Sequence, residues 1–136
     1  MVKASHRNLI VWQKAVELVE AVYALTQSFP HQEVYGLSSQ IRRAAVSIPA
    51  NIAEGNARST ARDYAHFLSM ALGSARELDT LLFISQKLGY VDKQNLECAY
   101  RLLDETCRLL YSIRNRVSAS MSAKKNRWQL AGQSDH

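Results

Sequence analysis

The run from Gly36 to Gly55, GLSSQIRRAAVSIPANIAEG, constrains this chain more than any other because it carries two helical stripes side by side. Ile41, Ala45, Ile48 and Ile52 recur at steps of four, three and four, which is the spacing of one helix face. Arg43, Ser47, Asn51 and Glu54 recur at steps of four, four and three on a second face. Ala44, Ala50, Ala53 and Gly55 leave little bulk between the stripes, so a neighbouring helix backbone can approach closely. Pro49 lies inside the pattern and removes the bond back to the Ala45 carbonyl. Because the isoleucine stripe keeps its register through the proline, a bent continuation is expected rather than a helix end at Ile48.

Three further segments carry the same period. A first helix is expected over about 9–28, with Asn8 as N-cap and Pro30 as the stop. Trp12, Val16, Val19 and Tyr23 form one stripe on it, and Val11, Ala15, Leu18, Val22, Leu25 and Phe29 form another. A third helix is expected over 61–88, with Tyr64, Leu68, Ala71, Ala75, Leu78 and Leu82 on its apolar face. Thr60 and Asp63 read as its start and Gly89 as its end. Asp92 can cap a fourth helix, whose stripe Leu96, Tyr100, Leu103, Cys107 and Leu110 is flanked by Ala99, Leu102, Thr106, Leu109 and Ile113. No run reads as a strand. The expected fold is all-α, an up-down-up-down four-helix bundle over residues 1–118, followed by a basic C-terminal tail, 119–136, expected to be disordered. The broad apolar arcs on the first and fourth helices predict an exposed interface and hence a homo-oligomer.

The chain has 136 residues, 47% of them hydrophobic and 21% charged, as expected for one globular domain. It shows neither a secretory leader pattern nor an apolar run long enough to span a bilayer, so a cytoplasmic protein without membrane contact is expected. Cys98 and Cys107 fall on opposite faces of one helix, about 13 Å apart along its axis, too far for a disulfide. Of the net charge of +5, most belongs to the end of the chain. Up to residue 112 there are 12 basic and 11 acidic residues, and beyond it Arg114, Arg116, Lys124, Lys125 and Arg127 face Asp135 alone.

The usual catalytic and metal-binding patterns are missing from this sequence. None of the glutamates has a histidine three residues on, as carboxylate di-metal bundles require. His6, His31, His66 and His136 form no zinc spacing with the cysteines. The glycines are spread singly, so no phosphate loop is present, and no GxSxG elbow occurs. The expectation is a protein that is not an enzyme and takes no cofactor or metal. Two polar groups remain to be explained. Arg43, Ser47, Asn51 and Glu54 could grip an anionic ligand, or could serve as a structural polar network or interface that specifies helix order; the small neighbours favour the structural account. Arg42, Arg58 and Arg62 are either phosphate contacts or a solvated face. Arg114, Arg116, Lys124, Lys125, Arg127 and Trp128 combine positive charge with an aromatic ring, a composition able to bind single-stranded nucleic acid.

The run QIRRAAVSIPANIAEG, followed by ELDTLLFISQKLGY, resembles the 23S rRNA-intervening-sequence protein family of four-helix bundle proteins, over about 9–117. The resemblance implies a ring-like homo-pentamer. The family name records where some of its genes sit, within inserts in ribosomal RNA genes, and names no activity. Charge and that genomic setting together predict weak, sequence-tolerant RNA binding. The alternative is an adaptor that docks an unidentified protein partner without contacting nucleic acid.

Overall fold

The computed structural model describes residues 5–134; Asp135 and His136, the end of the expected tail, lie outside the described residues, as do residues 1–4. Four α-helices make up the described chain, with no strand among the described residues: α1 (Ile10–Thr26), α2 (Leu37–Asn56), α3 (Ala61–Lys87) and α4 (Lys93–Ser134). Each helix packs on its neighbour in sequence, α4 closes the arrangement against α1, and the α2–α3 seam is the most extensive. The core lies between them. Ile41, Ala45, Ile48 and Ile52 of α2 meet Leu68, Ala71, Leu78 and Leu82 of α3, all fully buried, together with Ala15, Leu18 and Val22 of α1 and Leu96 and Leu110 of α4.

Pro49 sits inside an unbroken α2. One backbone bond is lost there. Stopping the helix at Ile48 would instead pull fully buried Ile52 out of the core, at a cost of about 1.5–3 kcal/mol for that side chain alone. Gly55 explains how α2 and α3 come so close. A Cβ at that position would lie 2.8 Å from the Phe67 Cβ and 3.0 Å from the Tyr64 ring.

Local chemistry sets most helix ends. Thr60 accepts a bond from the Asp63 backbone N–H at 3.1 Å, and Asp92 accepts one from Asn95 at 2.8 Å. Gly89 turns the chain between α3 and α4 with φ at 78°, the left-handed conformation glycine adopts without strain. At the start of α2 the Glu33 carboxylate takes a bond from the Leu37 N–H at 2.9 Å, where the helix dipole favours an anion. Its other oxygen accepts from the Tyr90 hydroxyl at 3.4 Å, joining the α1–α2 connection to the α3–α4 turn.

Three expectations need correction. Asn8 does not cap α1: it ends a 3-10 turn, Ser5–Asn8, and Leu9 takes the cap position without a side-chain bond, so α1 is shorter than 9–28. The breadth of the apolar arc on α4 does not call for an outside partner, because its two stripes are shared between α3 and α1. Leu96, Leu103 and Leu110 are buried, and so are Ala99, Leu102 and Thr106. Residues 119–134 are helical rather than irregular, continuing α4 beyond the bundle, and the side chains of 119–132 are exposed. Extending an existing helix escapes the nucleation cost, and Ala, Met, Lys, Arg, Gln and Leu are good helix formers even without an apolar period.

Candidate nucleic-acid interface

The polar stripe of α2 is divided by the fold. Ser47 and Asn51 turn toward α3, where the Ser47 and Ser74 hydroxyls share a hydrogen bond of 2.8 Å. The Asn51 amide donates to the Ser47 carbonyl at 2.8 Å and to its hydroxyl at 3.0 Å. These two are a structural network between helices. Arg43 and Glu54 are exposed, and Glu54 pairs with Arg58 at 3.0 Å on its own side of the molecule rather than with a neighbouring helix. The reason is angular. Arg43 and Glu54 lie within about 20° of each other on one edge of the stripe, whereas Ser47 and Asn51 lie about 40° and 80° round from Arg43, so only that other edge faces α3.

The arginines separate in the same way. Arg42 belongs to the α1–α2 seam: its Nε donates to the buried Thr26 hydroxyl at 2.8 Å, and its guanidinium lies 4.6 Å from the centre of the Tyr23 ring. The Thr26 hydroxyl in turn donates a hydrogen bond to the Val22 carbonyl at 2.9 Å. Arg42 is thereby held about 20 Å along α2 from the turn that joins it to α3. Arg58 and Arg62 stand at that turn. The Arg58 guanidinium covers the Phe67 ring at 4.8 Å. Arg62 is exposed in the first turn of α3, where the helix dipole disfavours a cation and gives no structural reason for one.

Arg116 comes to the same end of the bundle from α4. With Leu9, Ala61, Tyr64, Val117 and Ser120 it lines a cleft of about 370 Å³ at the point where α4 leaves the bundle. Burial raises the Tyr64 phenol above its ordinary pKa, and the positive charge of Arg116 partly offsets that rise. Beyond the cleft, Lys124, Arg127, Trp128 and Ala131 surround one shallow hollow on the projecting part of α4, and Trp128 is 73% exposed. Arg114 lies apart, folded over the Tyr111 ring at 5.1 Å, and Lys125 occupies another side of the helix from the hollow. Two groups of basic residues more than fifty positions apart in sequence thus share one end of the molecule.

Other surfaces offer less chemistry. A cleft of about 420 Å³ between α3 and α4 contains Arg76, Asp79, Tyr100, Asp104, Cys107 and Tyr111. Burial raises the Cys107 thiol, and Asp104 and Asp79 add to the rise against a smaller opposing effect of Arg76, so the thiol is protonated at neutral pH. No histidine lines that cleft. Among the described residues no group of His, Cys, Asp or Glu side chains is placed to hold a metal ion, and no helix is long and apolar enough to cross a membrane. A further groove between α1 and α2 is lined by Tyr23, Val34, Ser39, Arg42, Arg43 and Val46, with Tyr23, Val34 and Val46 each at least 40% exposed.

Comparison with known proteins bears on the bundle and leaves the projecting helix aside. No curated protein matches the chain. Among solved structures, it is similar to a crystal structure of a protein with unknown function from the S23 ribosomal protein family of Bacteroides thetaiotaomicron. The two share 27% identity at a TM-score of 0.70, over 77% of this chain and 98% of that one. The family match runs over residues 7–112, so the basic part of α4 lies past its end. The α2 run with its two stripes, the four packed helices and this match agree: the chain belongs to the 23S rRNA-intervening sequence protein family.

Proposed function

We propose that this protein is a non-enzymatic, cytoplasmic, oligomeric helical bundle that binds RNA weakly and without much reading of sequence. The observation that carries the proposal is that Arg116 reaches Ala61 and Tyr64 beside the turn bearing Arg58 and Arg62, at the end from which the basic helix emerges. Phosphate neutralisation by such a surface gives affinity without base recognition. The cyclic order of helix contacts supports the up-down-up-down reading of the bundle.

Self-association has its own support. Tyr23, Val34, Tyr35 and Val46 remain exposed on the α1–α2 side, and Arg43 beside them gains a use if a second copy covers it. Light scattering tests this directly; a pentamer fits the family resemblance, and a monomer removes the oligomer from the proposal. The same surface favours the second reading, an adaptor docking another protein. Salt separates the two readings. Anisotropy of a labelled RNA across about 50–200 mM salt should fall steeply if phosphates are bound, with Kd in the range of about 1–100 μM. A chain ending at Val117 should bind more weakly. Absence of binding at low salt would reject RNA and leave the adaptor.

A further inference from the structure

The projecting part of α4 has distinct sides, although its composition gives little sign of them. Arg116, Ser120, Lys124, Arg127 and Ala131 follow one another at steps of four, four, three and four, so they form a single stripe. Its lower end, Arg116 and Ser120, lines the cleft against Ala61 and Tyr64 of α3. Its upper end, Lys124 and Arg127, shares a hollow with Trp128. A straight helix keeps one face in line, so the side that packs toward the bundle below is the side carrying Lys124, Arg127 and Trp128 above. Lys125 points away from it by more than a quarter turn. Bundle end and projecting helix therefore make an inner corner, with Leu9, Ala61 and Tyr64 on one wall and the Arg116–Arg127 stripe on the other.

We propose, building on the RNA-binding reading, that this inner corner is the binding surface and that its ligand is single-stranded RNA. Positive charge along the α4 wall matches a phosphate backbone, and an indole exposed beside two of those cations offers a platform for an unstacked base. A duplex keeps its bases stacked and gives Trp128 nothing to cover. Trp128 is a stacking residue, Arg116, Lys124 and Arg127 are phosphate contacts, and the outer side of α4 takes no part.

The test uses the full chain and a labelled oligouridine of about 12 nucleotides, within the range of one small single-strand site, with a duplex of equal length as comparison. Lys124→Gln with Arg127→Gln removes two cations from the inner side. Lys93→Gln with Lys125→Gln removes two from elsewhere, and all four side chains are exposed, so folding should be retained. The first pair should weaken binding about tenfold near 100 mM salt and reduce the salt slope by about 1.4. The second pair should change affinity by less than about twofold, since it removes no phosphate contact. Trp128→Ala should weaken the single strand about fivefold or more and leave the duplex, already the poorer ligand, unchanged. Equal losses from the two double variants would overturn the corner while leaving RNA binding intact. Equal affinity for duplex, insensitive to Trp128→Ala, would overturn single-strand stacking, as would preference for anionic lipid vesicles over oligouridine. No binding of either nucleic acid would overturn the RNA reading itself.

Discussion

Replacing Gly55 by alanine tests the closeness of α2 and α3. Carbon atoms pack best at about 3.5–4.0 Å, and the added Cβ would meet the Phe67 Cβ at 2.8 Å. Both atoms are fixed to backbone, so neither can rotate aside, and relief requires the helices to part locally by about 0.7 Å or more to reach that distance. Overpacking of this kind costs about 1–3 kcal/mol. Alanine returns about 0.5–1 kcal/mol through helix propensity, at the low end here because Gly55 is in the last turn of α2. The net effect is a loss of about 0.5–2.5 kcal/mol, equivalent to a fall in Tm of roughly 2–9 °C for a chain of this size. Gly73 is the matched control: it lies inside α3 with nothing within 4 Å of an added Cβ. Gly73→Ala should gain about 0.5–1 kcal/mol. Thermal and urea unfolding followed by far-UV circular dichroism read both variants. If Gly55→Ala stabilises the protein as Gly73→Ala does, the close approach is wrong and so is the packing argument built on it.

Arg42→Ala should destabilise by about 1–2 kcal/mol in urea unfolding, because it removes a charged hydrogen bond to buried Thr26 and the cover over Tyr23; an unchanged midpoint would refute the seam role. Ending the chain at Val117 should alter stability by less than about 0.5 kcal/mol, since residues 118–132 are exposed, and a larger loss would mean that the projecting helix supports the bundle. Burial raises Tyr64, Tyr90, Tyr100 and Cys107 above their ordinary values of 10.0 and 9.0. The unfolded chain therefore releases these protons first, so their stabilisation is full below those values and is lost as pH climbs through the raised ones. Urea midpoints should fall between pH 8.5 and about 10.5, less so in Tyr64→Phe, and a flat profile would contradict the burial of these groups.

The helices themselves were legible because the forces that make them act over one or two turns. The α2 stripe, the Thr60 and Asp92 caps and the Gly89 turn all follow from neighbours in sequence, and each stands where spacing puts it. What escaped was set by distance. Nothing near Arg42 in the chain announces Thr26 as its acceptor, and Ser74 is one serine among many until α3 sets it opposite Ser47. Glu33 reads as a loop residue, yet its carboxylate serves both α2 and Tyr90. Past Val117 the sequence shows no apolar period, yet α4 runs on, because extending an existing helix needs none. The basic end could not be assembled from sequence, since Arg116 comes to Ala61 and Tyr64 at the start of α3 only through the closing of α4 against the bundle.

That closing has a kinetic consequence. Three of the four helix seams join segments adjacent in sequence, and only the α1–α4 seam spans the whole bundle, including the pair of Lys14 Nζ with the shielded Glu105 Oε2 at 3.2 Å. Loop-closure entropy therefore falls almost entirely on one event. Hairpins of neighbouring helices can collapse early and reversibly, while cooperativity arrives with the docking of the first helix on the last. Opening runs the same course backwards: α1 swings out on its connection to α2 at lower cost than global unfolding, exposing Ala15, Leu18 and Val22 as a unit and making its amide protons the first of the core to exchange.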